Sequence, residues 1–189
     1  MAARKSTFDM PFRRRREGKT DYKKRLALVK SKKLRLVVRK SNMRVIAHAV
    51  RYEPKGDVTV ATADSRELAK YKFYGTNNTP SAYLVGYLLG KRLGKQKCVL
   101  DMGRKSPSHG NVIFAALKGA IDAGVEVPHS AEALPSEERI SGKVLDDYAK
   151  KLGDKAKTVF SNYIKAGIQP GEIQKAFEKA KAEIAKVKE

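Results

Sequence analysis

The chain has 189 residues, of which 41% are apolar, and its 41 Lys and Arg against 20 Asp and Glu give a net charge of +21. This size and apolar content suit one α/β core with polar extensions. The single cysteine, Cys98, excludes an internal disulfide, and no apolar run reaches the roughly 20 residues of a membrane span, so we expect a soluble, unsecreted protein of a reducing compartment.

The positive charge is concentrated in the first part of the chain. Residues 1–51 contain 18 Lys and Arg against three acidic residues, so they hold +15 of the +21. Self-repulsion on this scale opposes compaction, and the rest of the chain is not acidic enough to neutralise it. We therefore expect another molecule to neutralise it. Nucleic acid, an anionic membrane surface and an acidic protein are the candidates, and composition ranks nucleic acid first.

Residues 1–20 show neither a helical nor a strand period and include a proline and the four arginines Arg13–Arg16. Such a segment cannot bury enough apolar surface to offset its ordering entropy, so we predict an extended arm that is disordered when free. In residues 21–31, apolar side chains recur every three or four positions behind Thr20 or Asp21 as a capping residue. This pattern predicts a short basic helix.

The period then changes from about 3.6 to 2, which predicts an antiparallel hairpin over residues 34–52. A two- or four-residue loop around Ser41-Asn42 defines the register. The pairs it predicts on one face are Arg39 with Arg44, Val37 with Ile46, and Arg35 with His48. The other face carries the apolar side chains of Leu34, Leu36, Val38, Val45, Ala47 and Ala49. Because like charges opposite each other destabilise a sheet, we expect an anion over the basic face.

The remainder of the chain alternates strands with helices, as is typical of an α/β layer. The predicted elements are a strand at 58–63, a short helix to Tyr71, a helix from Thr79 to Gly94, a strand at 97–102, a loop at 103–110 and a helix at 111–123. Ala82, Gly86 and Gly90 line one side of a helix, and since an interior glycine costs about 1 kcal/mol, we expect this side to approach the sheet closely. Charged helices are predicted at about 137–151, 154–166 and 170–188.

These patterns predict an α/β fold in which a mixed sheet contains an antiparallel meander and helices pack on one face. The predicted divisions are a basic arm and short helix at 1–31, an α/β RNA-binding core at 32–130 and a helical C-terminal extension at 131–189. The last helix has a single narrow apolar stripe, so it is expected to dock by one face only.

The basic segment gives the strongest functional signal, because guanidinium groups bind phosphate bidentately and an arm that orders on binding can wrap a folded RNA. Interleaved aromatic residues, Phe8, Phe12 and Tyr22, could stack on bases, with ordinary packing as the alternative. The candidate RNA-binding residues are Arg4, Lys5, Arg13, Arg14, Arg15, Arg16, Lys19, Tyr22, Lys23, Lys24, Arg25, Arg35, Arg39, Lys40, Ser41, Asn42, Arg44, His48 and Arg51. A nuclear-localisation signal and a solvated charge run are the alternative interpretations.

Catalytic and cofactor chemistry have little support in the sequence. The loop Gly103–Gly110 precedes a helix but lacks the spacing of a nucleotide-binding loop, so a structural role or an RNA-backbone contact is favoured. Asp101, Ser106 and His109 form the one constellation that could serve an alternative function, an RNA-processing or RNA-modifying enzyme. No residue spacing is typical of a metal site or a nucleophilic triad. We predict no catalytic residues, metal, cofactor, membrane contact or small-molecule substrate.

Five segments of the chain resemble one known family. They are FRRRREGKTDY at 12–22, RKSN at 39–42, PSAYL at 80–84, LDMG at 100–103 and GAIDAG at 119–124. In this order they resemble the archaeal and eukaryotic form of the large-subunit ribosomal protein of the universal eighteen family, as far as about Tyr148.

This resemblance implies a non-catalytic protein whose sheet and basic arm clamp 5S rRNA. It implies that the protein helps to seat this RNA in the central protuberance, against 23S rRNA and neighbouring large-subunit ribosomal proteins. The arm from Arg4 to Arg25 and the hairpin from Arg35 to Arg51 would be the RNA contacts. Residues 137–189, which the shorter bacterial form lacks, would pack on RNA or on a protein neighbour.

Overall fold

The structure, a computed structural model, describes residues 9–187. This part of the chain contains a four-stranded mixed sheet of order β3-β2-β1-β4. The strands are β1 Leu34–Lys40, β2 Val45–Arg51, β3 Val58–Asp64 and β4 Cys98–Asp101. Strands β1, β2 and β3 form an antiparallel meander, and β4 runs parallel to β1. The predicted α/β class, the mixed sheet and the meander are confirmed.

Helices precede, connect and follow the strands. They are α1 Arg13–Arg16, α2 Tyr22–Lys30, α3 Thr79–Leu93, α4 Val112–Asp122, α5 Glu137–Ser141, α6 Lys143–Leu152, α7 Ala156–Val159, α8 Ser161–Lys165 and α9 Ile173–Ala185, with 3₁₀ segments at Ser65–Tyr71, Ala131–Ala133 and Gly153–Lys155. No helix of the described residues is long and apolar enough to cross a membrane.

Two sequence predictions about these helices are wrong in detail. Residues 13–16 of the predicted extended arm form a helical turn. The first C-terminal helix is divided at Gly142, whose φ of 86° ends α5 and starts α6, and the second is divided at Phe160. The left-handed conformation at Gly142 is one that glycine adopts without steric cost.

The apolar face of the sheet packs against α3 and α4. Of the six residues predicted for this face, five are at most 1% exposed: Leu36, Val38, Val45, Ala47 and Ala49. Leu34, at the sheet margin, packs on them while partly exposed. The alternation of burial along β1 and β2 thus places the apolar side chains inward and leaves the arginines on the outer face.

Glycines bring the backbones of α3 and α4 into direct contact. A Cβ atom on Gly86 would lie 1.8 Å from the carbonyl oxygen of Ala116, and one on Gly119 would lie 2.0 Å from that of Tyr83. The expected close approach therefore exists, but its predicted partner was wrong. The neighbour of the glycine side of α3 is the helix α4 and not the sheet.

The last helix docks on its own chain. The ring of Phe177 lies 5.5 Å from that of Tyr83 and 6.5 Å from that of Phe73, and Ile173 and Ile184 are fully buried. Asp146 of α6 accepts hydrogen bonds from the first two backbone N–H groups of α9, those of Ile173 and Gln174. The apolar stripe of α9 is therefore covered by α3 and α6, as expected for a helix that docks by one face. Packing of residues 137–189 on RNA or on a protein neighbour stays a prediction.

Candidate RNA interface

The hairpin register differs by two residues from the predicted one. Arg39 lies opposite Ile46, and Val37 lies opposite His48. The predicted pairs of Arg39 with Arg44, Val37 with Ile46 and Arg35 with His48 are therefore wrong. Because side chains alternate with a period of two, a shift of two residues leaves every side chain on the same face. Arg35, Arg39 and His48 consequently still share the outer face of the sheet.

The side chain of Asn77, from a distant loop, holds the turn of this hairpin. The turn runs from Ser41 to Arg44 and is centred on Asn42-Met43, with the Ser41 N–H donating to the Arg44 carbonyl at 2.9 Å. The Asn77 amide donates to the carbonyls of Ser41 and Asn42 at 3.0 and 2.6 Å. These contacts select a two-residue loop one position later than the predicted Ser41-Asn42.

Arg35 is enclosed by carboxylates of its own chain. Its side chain is 3% exposed, with Nη2 2.6 Å from Asp57 and Nη1 3.3 Å from Asp101. Arg25 of α2 reaches the same Asp57 carboxylate at 2.8 Å. Burial raises the pKa of Asp57, but the hydrogen bonds and charges of Arg35 and Arg25 outweigh it and hold the pKa below its usual value. Arg35 is thus a structural ion-pair residue and not an exposed RNA contact.

The other arginines of the outer face also have internal partners. Arg39 lies 2.8 Å from Asp101, and Arg44 lies 3.2 Å from Asp64. Carboxylates from strand ends therefore neutralise part of this face from within, so its like charges do not by themselves require an external anion, and an anion over the face stays a prediction. Arg39 and Arg44 remain partly exposed, so each guanidinium is oriented by its carboxylate while it still faces solvent.

His48 does not add a charge to this face at neutral pH. Burial lowers the pKa of its imidazole, and the nearby Arg39 lowers it further, while Asp64 offsets part of the effect. The neutral ring can donate one hydrogen bond and accept another, but it cannot pair with a phosphate as a cation. Lys40 and Arg51, at the ends of the strands, are exposed and have no carboxylate within ion-pair distance in the described part of the chain.

The arm folds back on the start of α2. The ring of Phe12 lies 5.4 Å from that of Tyr22, so these aromatics pack on each other, although Phe12 is 73% exposed. Arg14 Nε donates to the Thr20 hydroxyl at 2.8 Å. Asp21 caps α2 by accepting the N–H groups of residues 23 and 24, as predicted. Arg4, Lys5 and Phe8 lie outside the described residues.

The loop after β4 forms the opposite wall of a groove beside this arm. Gly103, at a φ of 64°, brings the loop close enough that a Cβ there would lie 3.1 Å from Arg39 Cζ. Gly18 of the arm lies against the guanidinium of Arg104. The groove has a volume of about 460 Å³, and its basic lining residues are Arg14, Lys19, Lys24, Arg25, Arg39 and Lys105.

Arg104 and Lys105 are the basic residues that the sequence-based site lacked. Both are exposed on the loop next to the arm. The signal in the sequence was the Arg-Lys pair that begins three residues after the end of β4, because this end of the strand lies beside β1 and hence near Arg39. The arm, α2, the end of β1 and this loop together form one basic surface, which we call the arm-loop surface.

Comparison with known proteins identifies the family. The family model described as "Ribosomal large subunit proteins 60S L5, and 50S L18" matches residues 6–97 and 94–130. The chain belongs to this family. Large ribosomal subunit protein uL18 of Methanobrevibacter smithii is 45% identical over 192 residues, covering 99% of this chain and all of the relative. The uL18 protein of Korarchaeum cryptofilum is 46% identical over 182 residues, covering 93% of each chain.

Membership of this family confirms the resemblance drawn from the sequence and identifies a structural, non-enzymatic ribosomal protein. The alternative of an RNA-processing enzyme has no geometry to support it either. The His109 ring contacts the Glu132 carbonyl at 2.9 Å, whereas the Asp101 carboxylate binds arginines and the Gly103 N–H. Cys98 is fully buried, which raises the pKa of its thiol to about 11. These residues therefore serve the fold.

Proposed function

We propose that this protein binds 5S rRNA in the large subunit of the cytoplasmic ribosome. In this proposal it helps to attach that RNA to 23S rRNA in the central protuberance, beside neighbouring ribosomal proteins. Family membership supports the ribosomal role. The observation that carries the RNA contact is the arm-loop surface, where basic side chains from four separate segments meet and outnumber the carboxylates among them.

The internal ion pairs sort the candidate contacts into two groups. The first group consists of exposed cations of the arm, α2 and the loop. When these cations bind phosphates, counterions are released from the RNA, and this release favours binding. The second consists of guanidiniums already held by carboxylates, such as Arg39 and Arg44, which can present remaining N–H donors in a fixed orientation. We omit Arg35 from the proposed contacts because it is buried.

The proposed contacts on the arm and α2 are Arg4, Lys5, Arg13, Arg14, Arg15, Arg16, Lys19, Tyr22, Lys23, Lys24 and Arg25. Those on the hairpin and the loop are Arg39, Lys40, Ser41, Asn42, Arg44, His48, Arg51, Arg104 and Lys105. The exposed turn at Ser41-Asn42 offers hydrogen-bonding groups rather than charge. Recognition of a folded RNA uses such polar groups together with phosphate contacts, because shape and backbone carry much of the specificity.

The proposal is tested by salt-titrated binding of the full chain to 5S rRNA and to an unrelated structured RNA of equal length. Both affinities fall with salt because phosphate contacts release counterions. The preference for 5S rRNA should persist at high salt, because salt weakens the general electrostatic attraction to any RNA more than it weakens oriented hydrogen bonds. Equal affinities for the two RNAs at every salt concentration would contradict 5S rRNA recognition.

A shortened chain lacking residues 1–20 separates the contribution of the arm from that of α2, the hairpin and the loop. The structure sets this boundary, because Asp21 caps α2 and Arg25 pairs with Asp57, so a cut further along would disturb the fold. The shortened chain should lose affinity, with the slope of log K against log salt reduced by roughly 0.7 to 0.9 for each lost phosphate contact. An unchanged slope would remove the arm from the interface.

A further inference from the structure

The groove within the arm-loop surface has an apolar floor. Its apolar lining residues are Ala27, Leu28, Leu100, Met102 and Pro107. Pro107 and Ala27 are exposed, and Leu28 is half-buried, so this floor faces solvent in the unbound protein. Phosphate binding alone does not require an apolar floor, because a phosphate is satisfied by charge and hydrogen bonds.

The rim of the groove combines oriented and unpaired cations. The guanidinium of Arg14 is oriented by Thr20, and that of Arg39 by Asp101. Lys24 and Lys105 line the same groove, and neither has a carboxylate within ion-pair distance among residues 9–187. The rim therefore offers to an anion two guanidinium groups that are held in place and two ammonium groups without an ion-pair partner in the described part of the chain.

The occupant must combine an apolar face with an anionic group, and a nucleotide has both. The groove volume of about 460 Å³ lies in the usual range of small-ligand sites. We propose that this groove accepts one unstacked nucleotide of the bound RNA, with its base on the apolar floor and its phosphate at the cationic rim. This inference rests on the proposed RNA-binding function and adds a defined site to it. Unstacked bases are the parts of a folded RNA that proteins recognise most specifically.

An acidic peptide is the competing occupant, since it also carries negative charge. A peptide carboxylate would use the rim but would present a flexible chain to the floor instead of a flat ring. Apolar residues line the groove on both sides, with Ala27 and Leu28 on α2 and Pro107 on the opposite loop, and this arrangement suits a planar base that contacts both sides. Charge complementarity and the flat apolar face together favour the nucleotide.

The first test compares two serine variants on α2. Leu28→Ser removes apolar surface from the groove floor, whereas Leu26→Ser removes the same group from a position that is 55% exposed and outside the groove. We expect Leu28→Ser to weaken binding of the full chain to 5S rRNA by roughly fivefold. The salt slope should stay unchanged, because no phosphate contact is lost. Thermal unfolding of both variants shows whether each is folded.

The outcomes of this comparison separate the two proposals. If Leu28→Ser and Leu26→Ser bind equally well while the wild-type chain still prefers 5S rRNA, the nucleotide site is wrong and the proposed function stands. If the wild-type chain shows no preference for 5S rRNA, the proposed function itself fails. If Leu28→Ser lost affinity and also showed a smaller slope of log K against log salt, the substitution would have displaced a phosphate contact. This result would also overturn the proposed nucleotide site.

The second test identifies the occupant by titrating the full chain with small probes while methyl resonances are recorded. Uridine or adenosine monophosphate should shift the Met102, Leu28 and Ala27 methyl signals, because the base lies over them. Ribose 5-phosphate, which has the same anionic group without a base, should leave these methyls unshifted. Equal shifts from both compounds, no shift from the nucleotides, or the same shifts from an oligoglutamate peptide would each overturn the proposal.

Discussion

Arg39 of β1 and Asp101 of β4 are joined by two hydrogen bonds. Arg39 Nη2 donates to the Asp101 carboxylate at 2.8 Å, and Nη1 donates to the Asp101 carbonyl oxygen at 2.6 Å. The same carboxylate accepts the Gly103 N–H at 2.8 Å and lies 3.3 Å from Arg35. One acidic side chain therefore fixes two cations and the start of the loop that carries Arg104 and Lys105.

Asp101→Asn should weaken RNA binding although it removes a negative charge from a basic surface. Charge counting alone predicts tighter binding, because one repulsive carboxylate is gone. The structure predicts a loss of roughly tenfold in affinity, equivalent to about 1.4 kcal/mol, because Arg39 and the loop lose their anchor. Binding to 5S rRNA at fixed salt measures the sign of the effect.

The control for Asp101→Asn is Asp147→Asn, which removes an equal charge from an exposed position on α6. Its affinity for RNA should equal or slightly exceed that of the wild type. If both variants bound more tightly by the same factor, Asp101 would act only through its charge, and its orienting role would be wrong.

Asp146→Ala should destabilise the protein through the loss of a helix cap. The Asp146 carboxylate is 5% exposed and accepts the N–H groups of Ile173 and Gln174, each at 2.9 Å. The variant leaves these donors unsatisfied next to the core, and we expect the free energy of unfolding to fall by about 2 kcal/mol. Asp147→Ala, at the neighbouring exposed position, should change it little. Similar losses in urea denaturation of the two variants would contradict the capping role.

Acid should destabilise the fold partly through Asp57 and Glu67. Burial raises the pKa of each carboxyl. For Asp57 the contacts with Arg35 and Arg25 outweigh burial, and for Glu67 the contact with Arg92 does, so the pKa of each carboxyl is lowered overall. A carboxyl with a lowered pKa in the folded state contributes stability that is complete above its unfolded pKa, near 4, and is lost as the pH falls through its folded value.

Asp57→Asn should accordingly be less stable than the wild type at pH 7 and should lose less stability between pH 6 and pH 2. The two stability curves, from urea denaturation at each pH, should therefore converge in acid. The control is Glu126→Gln, which changes an exposed carboxyl 3.7 Å from Lys97. Its curve of stability against pH should run parallel to that of the wild type. Parallel curves for Asp57→Asn and the wild type would show that the Asp57 ion pairs contribute no acid sensitivity.

The sequence predicted which face of the sheet a side chain lies on better than it predicted which residues that side chain contacts. The period of two in the hairpin was enough to separate Leu36 and Val38 from Arg35 and Arg39, and this separation survives the two-residue error in register. The register itself depends on Asn77, which lies 35 residues beyond Asn42 in the chain and bonds to the turn. A contact between distant segments leaves no local trace in the sequence, so the turn could not be located from its own residues.

The internal neutralisation of the basic face could not be predicted from the sequence for the same reason. Asp57, Asp64 and Asp101 lie at the ends of strands or in a turn, and only the strand order brings them beside the arginines of β1 and β2. Asp146 is a similar case, since it caps a helix that begins 27 residues later. The basic arm could be predicted as a candidate site without the strand order, because its charged residues are contiguous in the sequence.

The central claim, that the arm contacts RNA through its own phosphate-binding cations, is tested most directly by comparing two charge-matched variants. One replaces Arg13–Arg16 by Ala, and the other replaces four exposed lysines of the C-terminal helices, Lys151, Lys157, Lys165 and Lys179. Both remove four positive charges. The measurement is the slope of log K against log salt for 5S rRNA.

We predict that the arm variant loses roughly 0.7 to 0.9 in slope for each phosphate contact removed, whereas the lysine variant keeps the slope of the wild type. Such a difference would locate the phosphate contacts in the arm. Equal reductions in the two variants, or a reduction in the lysine variant alone, would show that net charge or the C-terminal helices carry the binding, and would contradict the claim.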